Sequence, residues 1–179
     1  MKIQIAILLP MLFCMALVAG SQSKATDSVE QLRFKAGSRV NKAAVIPEDV
    51  LVEVKRDKMV EGALENPEVS GRDFPNSWFS VSAAHLRSSE EADLIVVGQG
   101  PLVSIGETIF WVFRPTANGH ELIFTGYGRQ LDVLETRSQA YHDIEVLSPN
   151  GPDVHRSQYQ FDGHFYQVGH ESYEPANLN

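Results

Sequence analysis

The chain has 179 residues, 43% of them apolar, with one cysteine and a formal charge of −8 from 23 acidic and 15 basic side chains. That is the size and apolar content of one ordinary globular domain with its own core. The acidic balance excludes the basic stripe that a phosphate backbone requires and disfavours anionic membranes, so neither nucleic acid nor a membrane surface is expected as a partner.

Residues 1–20 stand apart from the rest. Lys2 is followed by an apolar stretch from Ile3 to Val18 and then by the small residues Ala19, Gly20 and Ser21. That layout is a secretory signal peptide cut after Gly20. Pro10 and the shortness of the stretch argue against a retained transmembrane anchor. Cys14 follows Met11-Leu12-Phe13, which lacks the small residue a lipoprotein site places before its cysteine. The expected location is secreted or periplasmic, with no membrane contact after cleavage. Cleavage also removes Cys14, so no disulfide, thiolate nucleophile or cysteine-held metal is expected, and no cofactor is implied.

Residues 21–45 are polar, dominated by Ser, Lys, Thr and Ala, and read as a flexible leader to a single β-rich domain over 46–179. Pro47-Glu48-Asp49 puts a proline and two acids where a first helical turn favours them, ahead of Val50, Leu51, Val54, Met59 and Ala63. This predicts one helix over 47–65. Val50, Val52 and Val54 also alternate like a strand, and for 50–54 both readings stay open.

Beyond Asn76 the pattern is short apolar runs separated by turn residues. Eight strands are predicted: Trp78–Ala83, Leu94–Gly98, Ile109–Phe113, Glu121–Thr125, Leu131–Glu135, Ile144–Leu147, Ser157–Phe161 and Phe165–Val168. Ile109-Phe110-Trp111-Val112-Phe113 is apolar throughout and suits a central strand covered on both faces. Asp132 and Glu135 give their strand one wet side. Ala92-Asp93-Leu94-Ile95-Val96 resembles His142-Asp143-Ile144-Glu145-Val146 fifty positions later, and each is followed by an aromatic hairpin ending in Gly-His. The fold class is therefore mainly β, an antiparallel sheet or two meander or blade-like units with one N-terminal helix.

Asp162-Gly163 between two aromatic runs is a strong hairpin signal. Taken as the two central turn residues, they place Phe161 opposite His164, Tyr159 opposite Tyr166, Ser157 opposite Val168 and His155 opposite His170, all on one face. The Gln158, Gln160 and Gln167 side would then be wet, together with Phe165. His155 and His170, with Asp153 or Glu171 nearby, form the one candidate metal-binding pair, since imidazoles and a carboxylate suit a divalent ion.

No nucleophile elbow, zinc-protease helix, phosphate loop or dinucleotide fingerprint is present, so no catalytic residue is assigned. His142-Asp143 are sequence neighbours, but on a strand they point to opposite faces and do not form a catalytic pair. Ser88, Ser89, Glu90, Glu91 and Asp93 are oxygen-rich, yet the stretch lacks a glycine and carries Arg87, so a solvated turn is favoured over a calcium loop. Trp78 and Tyr127, beside turn residues, are the candidate binding aromatics for a glycan or protein.

Ala92–Val97, Phe110–Arg114, Leu131–Arg137, His142–Ile144 and Tyr159-Gln160-Phe161-Asp162-Gly163-His164-Phe165-Tyr166 together resemble a group of uncharacterised exported bacterial proteins, itself similar in places to the FG-GAP repeats of β-propellers. The likeness covers about residues 77–168. Where FG-GAP units carry a calcium-type loop, this chain has His85, Arg87 and Ser89, so calcium binding does not carry over. The resemblance implies an exported, β-rich, non-enzymatic protein.

The expectation is thus a binding or envelope-associated module outside the cytoplasm, with a protein or glycan partner. A secreted metal-dependent hydrolase using His155 and His170 is the rival, and an acidic inhibitor of a basic extracellular enzyme is a third reading.

Overall fold

The computed structural model describes residues 32–38, 43–64, 75–87 and 91–176. The signal segment, most of the leader and residues Ser88–Glu90 of the oxygen-rich stretch lie outside them. In chain order the elements are β1 (Arg33–Lys35), α1 (Glu48–Lys55), α2 (Lys58–Leu64), β2 (Phe79–Ala84), β3 (Asp93–Gly98), β4 (Thr108–Thr116), β5 (Gly119–Gly128), β6 (Gln130–Ser138), β7 (Tyr141–Asn150), β8 (Asp153–Phe161) and β9 (Tyr166–Pro175).

The strands form two antiparallel sheets, one of four strands in the order β2-β3-β4-β5 and one of five in the order β1-β6-β7-β8-β9. All eight predicted strands are present, and β2–β5 and β6–β9 are the two expected meanders. The fifty-residue similarity falls on equivalent strands, β3 and β7, each second in its meander.

The run in β4 needs both faces covered, and both covers exist. Phe110 and Val112, with Ile95, Val97, Ile123 and Phe124, meet Leu131, Val133, Ile144, Val146, Phe161 and Tyr166 of the five-stranded sheet. Ile109, Trp111 and Phe113, with Val81, Leu94 and Val96, turn the other way onto Val50, Leu51, Val54 and Val60 of the helical segment. The molecule is three-layered, helices on a four-stranded sheet on a five-stranded one. The outer face of the last layer is polar, with Arg33 on Asp132 at 2.9 Å and Arg156 bridging Glu145 at 2.7 Å and Glu174 at 2.9 Å.

Three expectations are corrected. First, the predicted helix 47–65 is two short helices. Asp57 breaks it: its Oδ1 accepts the Met59 amide at 2.9 Å as an N-cap, and its Oδ2 accepts Trp111 Nε1 at 2.9 Å. Residues 50–54 are helical, because Val50 and Val54 share the buried face while Val52 is exposed. Second, the leader contains a strand. Arg33 and Lys35 pair with Asp132 and Gln130, and Phe34 between them enters the core. Leu32 and Phe34, both packed on the inter-sheet core, are too short an alternation within a polar stretch to announce a strand.

Third, the last hairpin has a different register. Asp162 stands before the turn: its Oδ1 accepts the amides of His164 and Phe165, each at 2.8 Å, and its own amide donates to the Phe165 carbonyl at 3.0 Å. Gly163, at φ +109°, is the one turn residue with positive φ, so the type I′ turn that Asp-Gly suggests does not form. Phe161 pairs with Tyr166 and Tyr159 with Val168; a shift between Gln158 and Tyr159 then sets His155 opposite Tyr173 and His170 opposite Gln158. The expected inward facing of Phe161 and Tyr166 holds, since both are buried.

Candidate functional site

Where α1, β5 and the β8–β9 turn meet, they border a groove of 740 Å³ lined by Glu48, Asp49, Val52, Glu53, Arg56, His120, Glu121, Leu122 and Phe165. Each wall follows from local chemistry. α1 starts after Pro47, and its acids Glu48 and Asp49 sit in the first turn, where the helix dipole favours them. Burial of Val50, Leu51 and Val54 against the sheet turns Val52 and Glu53 outward, and both are exposed.

Asp49 ties the helix to β5. Its Oδ2 accepts the His120 amide at 2.8 Å and lies 3.0 Å from His120 Nδ1. Partial burial alone would raise this carboxyl, but the hydrogen bonds from the His120 side chain and backbone outweigh it and hold the group below its ordinary value. Gly119 makes the approach feasible: it sits at φ +127°, and a Cβ there would fall 2.5 Å from Asp49 Oδ2. Across the groove, Arg114 donates to Glu121 at 2.8 Å and reaches the Gly163 carbonyl at 3.4 Å. Its guanidinium carbon lies 5.7 Å from the centre of the Phe161 ring. Arg114 thus holds the β8–β9 turn, and Phe165 with it, against the four-stranded sheet.

Chemically this is an acid-rich channel with apolar Val52 and Phe165, 38% and 49% exposed, inside it. The Asp49–His120 pair has the form of an oriented acid and base. Among the described residues lining the groove none carries a hydroxyl or thiol side chain.

A second polar cluster is buried where the two sheets join. Arg87 bridges to Tyr141 through the backbone, and its Nε lies 3.6 Å from Asp93 Oδ1. Asp93 is fully buried and its Oδ2 accepts the Leu86 amide at 3.1 Å. Burial pushes its carboxyl up to about 6, against the downward pull of Arg87 and the Leu86 amide. Burial likewise raises the Tyr166 hydroxyl, which donates to the His142 carbonyl at 2.7 Å. Arg87 and Asp93 both flank the β2–β3 connection, and the seam to the five-stranded sheet is made beside them by the Arg87–Tyr141 backbone bridge and by the His142 amide donating to the Leu86 carbonyl at 2.7 Å.

The candidate metal pair is separated. His155 stacks on Tyr173, ring centres 4.6 Å apart, and its Nε2 is 3.2 Å from Glu171. Because His155 and Gln158 are an odd number of residues apart on β8, His170, the partner of Gln158, stands on the opposite face. Among the described residues no group of three His, Cys, Asp or Glu is arranged to hold a metal ion. His142 is buried with its Nδ1 2.6 Å from the Leu134 carbonyl and its Nε2 2.6 Å from Arg137; burial lowers its pKa. Trp78 packs partly buried against the helix-side core, and the Tyr127 hydroxyl sits 3.5 Å from the Ser104 carbonyl. Neither lines the groove.

Sequence reasoning missed the groove. Asp49 and His120 are 71 residues apart, and only the pairing of α1 with β5 brings them together. The legible part was the acidic first turn and the outward placement of Phe165. No protein-family model, no curated protein and no solved structure matches the chain.

Proposed function

We propose that this chain is an exported binding module that seats a basic, partly apolar segment of a partner protein in the groove along α1. The observation that carries the reading is the pairing of exposed Val52 and Phe165 with a rim in which the acids Glu48, Asp49, Glu53 and Glu121 outnumber Arg56 and His120. An apolar centre within a charged rim is the anatomy of a protein interface, and the net charge of −8 steers a basic partner towards it. Export rests on the first twenty residues, and places the module in a bacterial periplasm or outside the cell. A basic extracellular enzyme is one such partner, in which case binding would inhibit it.

Titration of the purified protein with a fluorescent peptide of alternating Lys and Leu, and with its Glu-Leu counterpart, tests this. The basic peptide binds saturably and more weakly as salt rises; Glu53→Lys and Phe165→Ala each weaken it by roughly tenfold, the acidic peptide does not bind, and both variants keep the parent unfolding midpoint. Binding that ignores both substitutions, or none at all, overturns the proposal.

A further inference from the structure

A second concavity, of 420 Å³, opens at the end of the five-stranded sheet and is lined by Ser138, Gln139, Gln160, Phe161, Asp162, Gln167, Val168 and Gly169. Topology explains the opening. β7 and β8 pair only from the Ile144–Tyr159 rung onward, so Tyr141–Asp143 and Gln160–Phe161 part company beside the turn that joins β6 to β7. The ladder of β6 with β7 is itself irregular between Val133 and Arg137, and past that point Ser138 pairs with Tyr141.

Two features hold the amides that border this gap. Gly169 lies at the shift in the β8–β9 ladder, and a Cβ there would fall 2.9 Å from both Cδ and Oε1 of Gln160, so the glycine lets that amide lie against the β9 backbone. On the other rim, Gln139 and Ala140 are both left-handed, at φ 49° and 70°, in a two-residue turn containing neither Gly nor Asn. Positive φ at both positions is the conformation a two-residue type I′ hairpin turn requires, and it fixes the direction in which Gln139 leaves the turn.

The lining chemistry selects a ligand class. Three primary amides and a serine hydroxyl each place donor and acceptor capacity side by side, matching neighbouring hydroxyls that are themselves donor and acceptor; the Gln167 amide also donates to Asp162, which orients it and leaves its oxygen and second N–H to a ligand. Gln160 and Gln167 pair on the outer face of the hairpin, while the side chains of Val168, 54% exposed, and buried Phe161 belong to its other face, so the amides and the serine supply the recognition chemistry. Among the described residues no Lys or Arg lines the cavity, and the Phe165 and His164 amides hold the Asp162 carboxyl below its ordinary value, which disfavours an anionic ligand. The Asp162 oxygen facing the turn already accepts those amides, which weakens any demand for a cation. The size falls within the ~300–1,000 Å³ of small-molecule sites.

We infer that this glutamine-lined concavity is a binding site for a neutral saccharide. It shares no residue with the groove along α1 and stands whether or not that groove binds a protein.

The test is a glycan microarray of neutral, sialylated and sulfated oligosaccharides probed with the full exported chain. Calorimetric titration of the strongest neutral oligosaccharide against Gln160→Ala, Gln167→Ala and Tyr127→Ala follows. Neutral glycans bind, each Gln variant weakens binding by roughly tenfold, the size of one lost neutral hydrogen bond, and Tyr127→Ala leaves it unchanged. Gln160 and Gln167 are exposed, so an unchanged thermal midpoint confirms that both variants fold. Binding confined to anionic glycans, no binding on the array, or loss in Tyr127→Ala with the Gln variants unaffected overturns the assignment.

Discussion

Strands β4 and β9 are of nearly equal length, nine and ten residues, yet every side chain from Ile109 to Phe113 is buried while β9 is buried only at Tyr166. β4 lies between two apolar layers and β9 forms the free edge of a sheet whose outer face is polar. The difference separates two tasks within one sandwich. The four-stranded sheet concentrates the dispersion and hydrophobic terms that hold the fold, and the five-stranded sheet, relieved of covering on one side, carries polar side chains and open turns. Both concavities draw on the β8–β9 hairpin, where packing demands least.

The sharpest break in this comparison is Trp111→Ala. Trp111 is fully buried, edge-on to Phe79 with ring centres 5.9 Å apart, and donates to Asp57. Its loss should cost about 3–5 kcal/mol in urea unfolding. Val168→Ala on β9, by contrast, should stay within about 0.5 kcal/mol.

Next in size is the pH dependence that Asp93 imposes beside the buried seam. Its carboxyl is raised from 3.8 to about 6 by burial, so between those values the folded chain holds a proton that the unfolded chain releases. Its contribution is therefore complete below the unfolded value and lost as pH rises through about 6, a change of the order of 3 kcal/mol. Unfolding midpoints across that window, compared with Asp93→Asn, should show this downward slope in the parent and its removal in the variant. Asp49 and Asp162, whose carboxyls are lowered, contribute in the opposite sense, losing stabilisation as pH falls below the ordinary carboxylate range.

Smaller effects sharpen the five-stranded side. Gly163→Ala, at φ +109°, should destabilise by about 1–2 kcal/mol. Ala140→Gly, which relieves φ 70°, should stabilise by up to about 1 kcal/mol in urea unfolding.

What could be read in advance follows the same division. Apolar runs announce burial directly, which is why Ile109–Phe113 and Leu94–Val97 were legible as strands and the former as covered on both sides. Register was not legible, because it is decided by which amide a side chain captures: Asp162 takes the His164 and Phe165 amides and so stands before the turn instead of inside it. That displacement, with the shift near Gly169, separated His155 from His170. The break at Asp57 was hidden because it depends on Trp111, 54 residues on. β1 was hidden because it offers one core side chain, Phe34. The groove and the glutamine-lined concavity are products of tertiary proximity, and only fragments of each, the acidic first turn of α1 and the wet Gln160 and Gln167, were visible.

Amide hydrogen exchange resolved along the chain tests most directly the claim that the buried four-stranded sheet carries the fold while the edge of the other is held locally. Amides of β3 and β4 should exchange only through global unfolding. On β9 the hydrogen bonds Asp162–Phe165 and Ala176–Pro152, with the register between them, turn the amides of Val168, Glu171 and Tyr173 away from β8, and these should exchange orders of magnitude faster. Equal protection of β4 and the outward β9 amides, or fast exchange across Ile109–Phe113, would contradict the account.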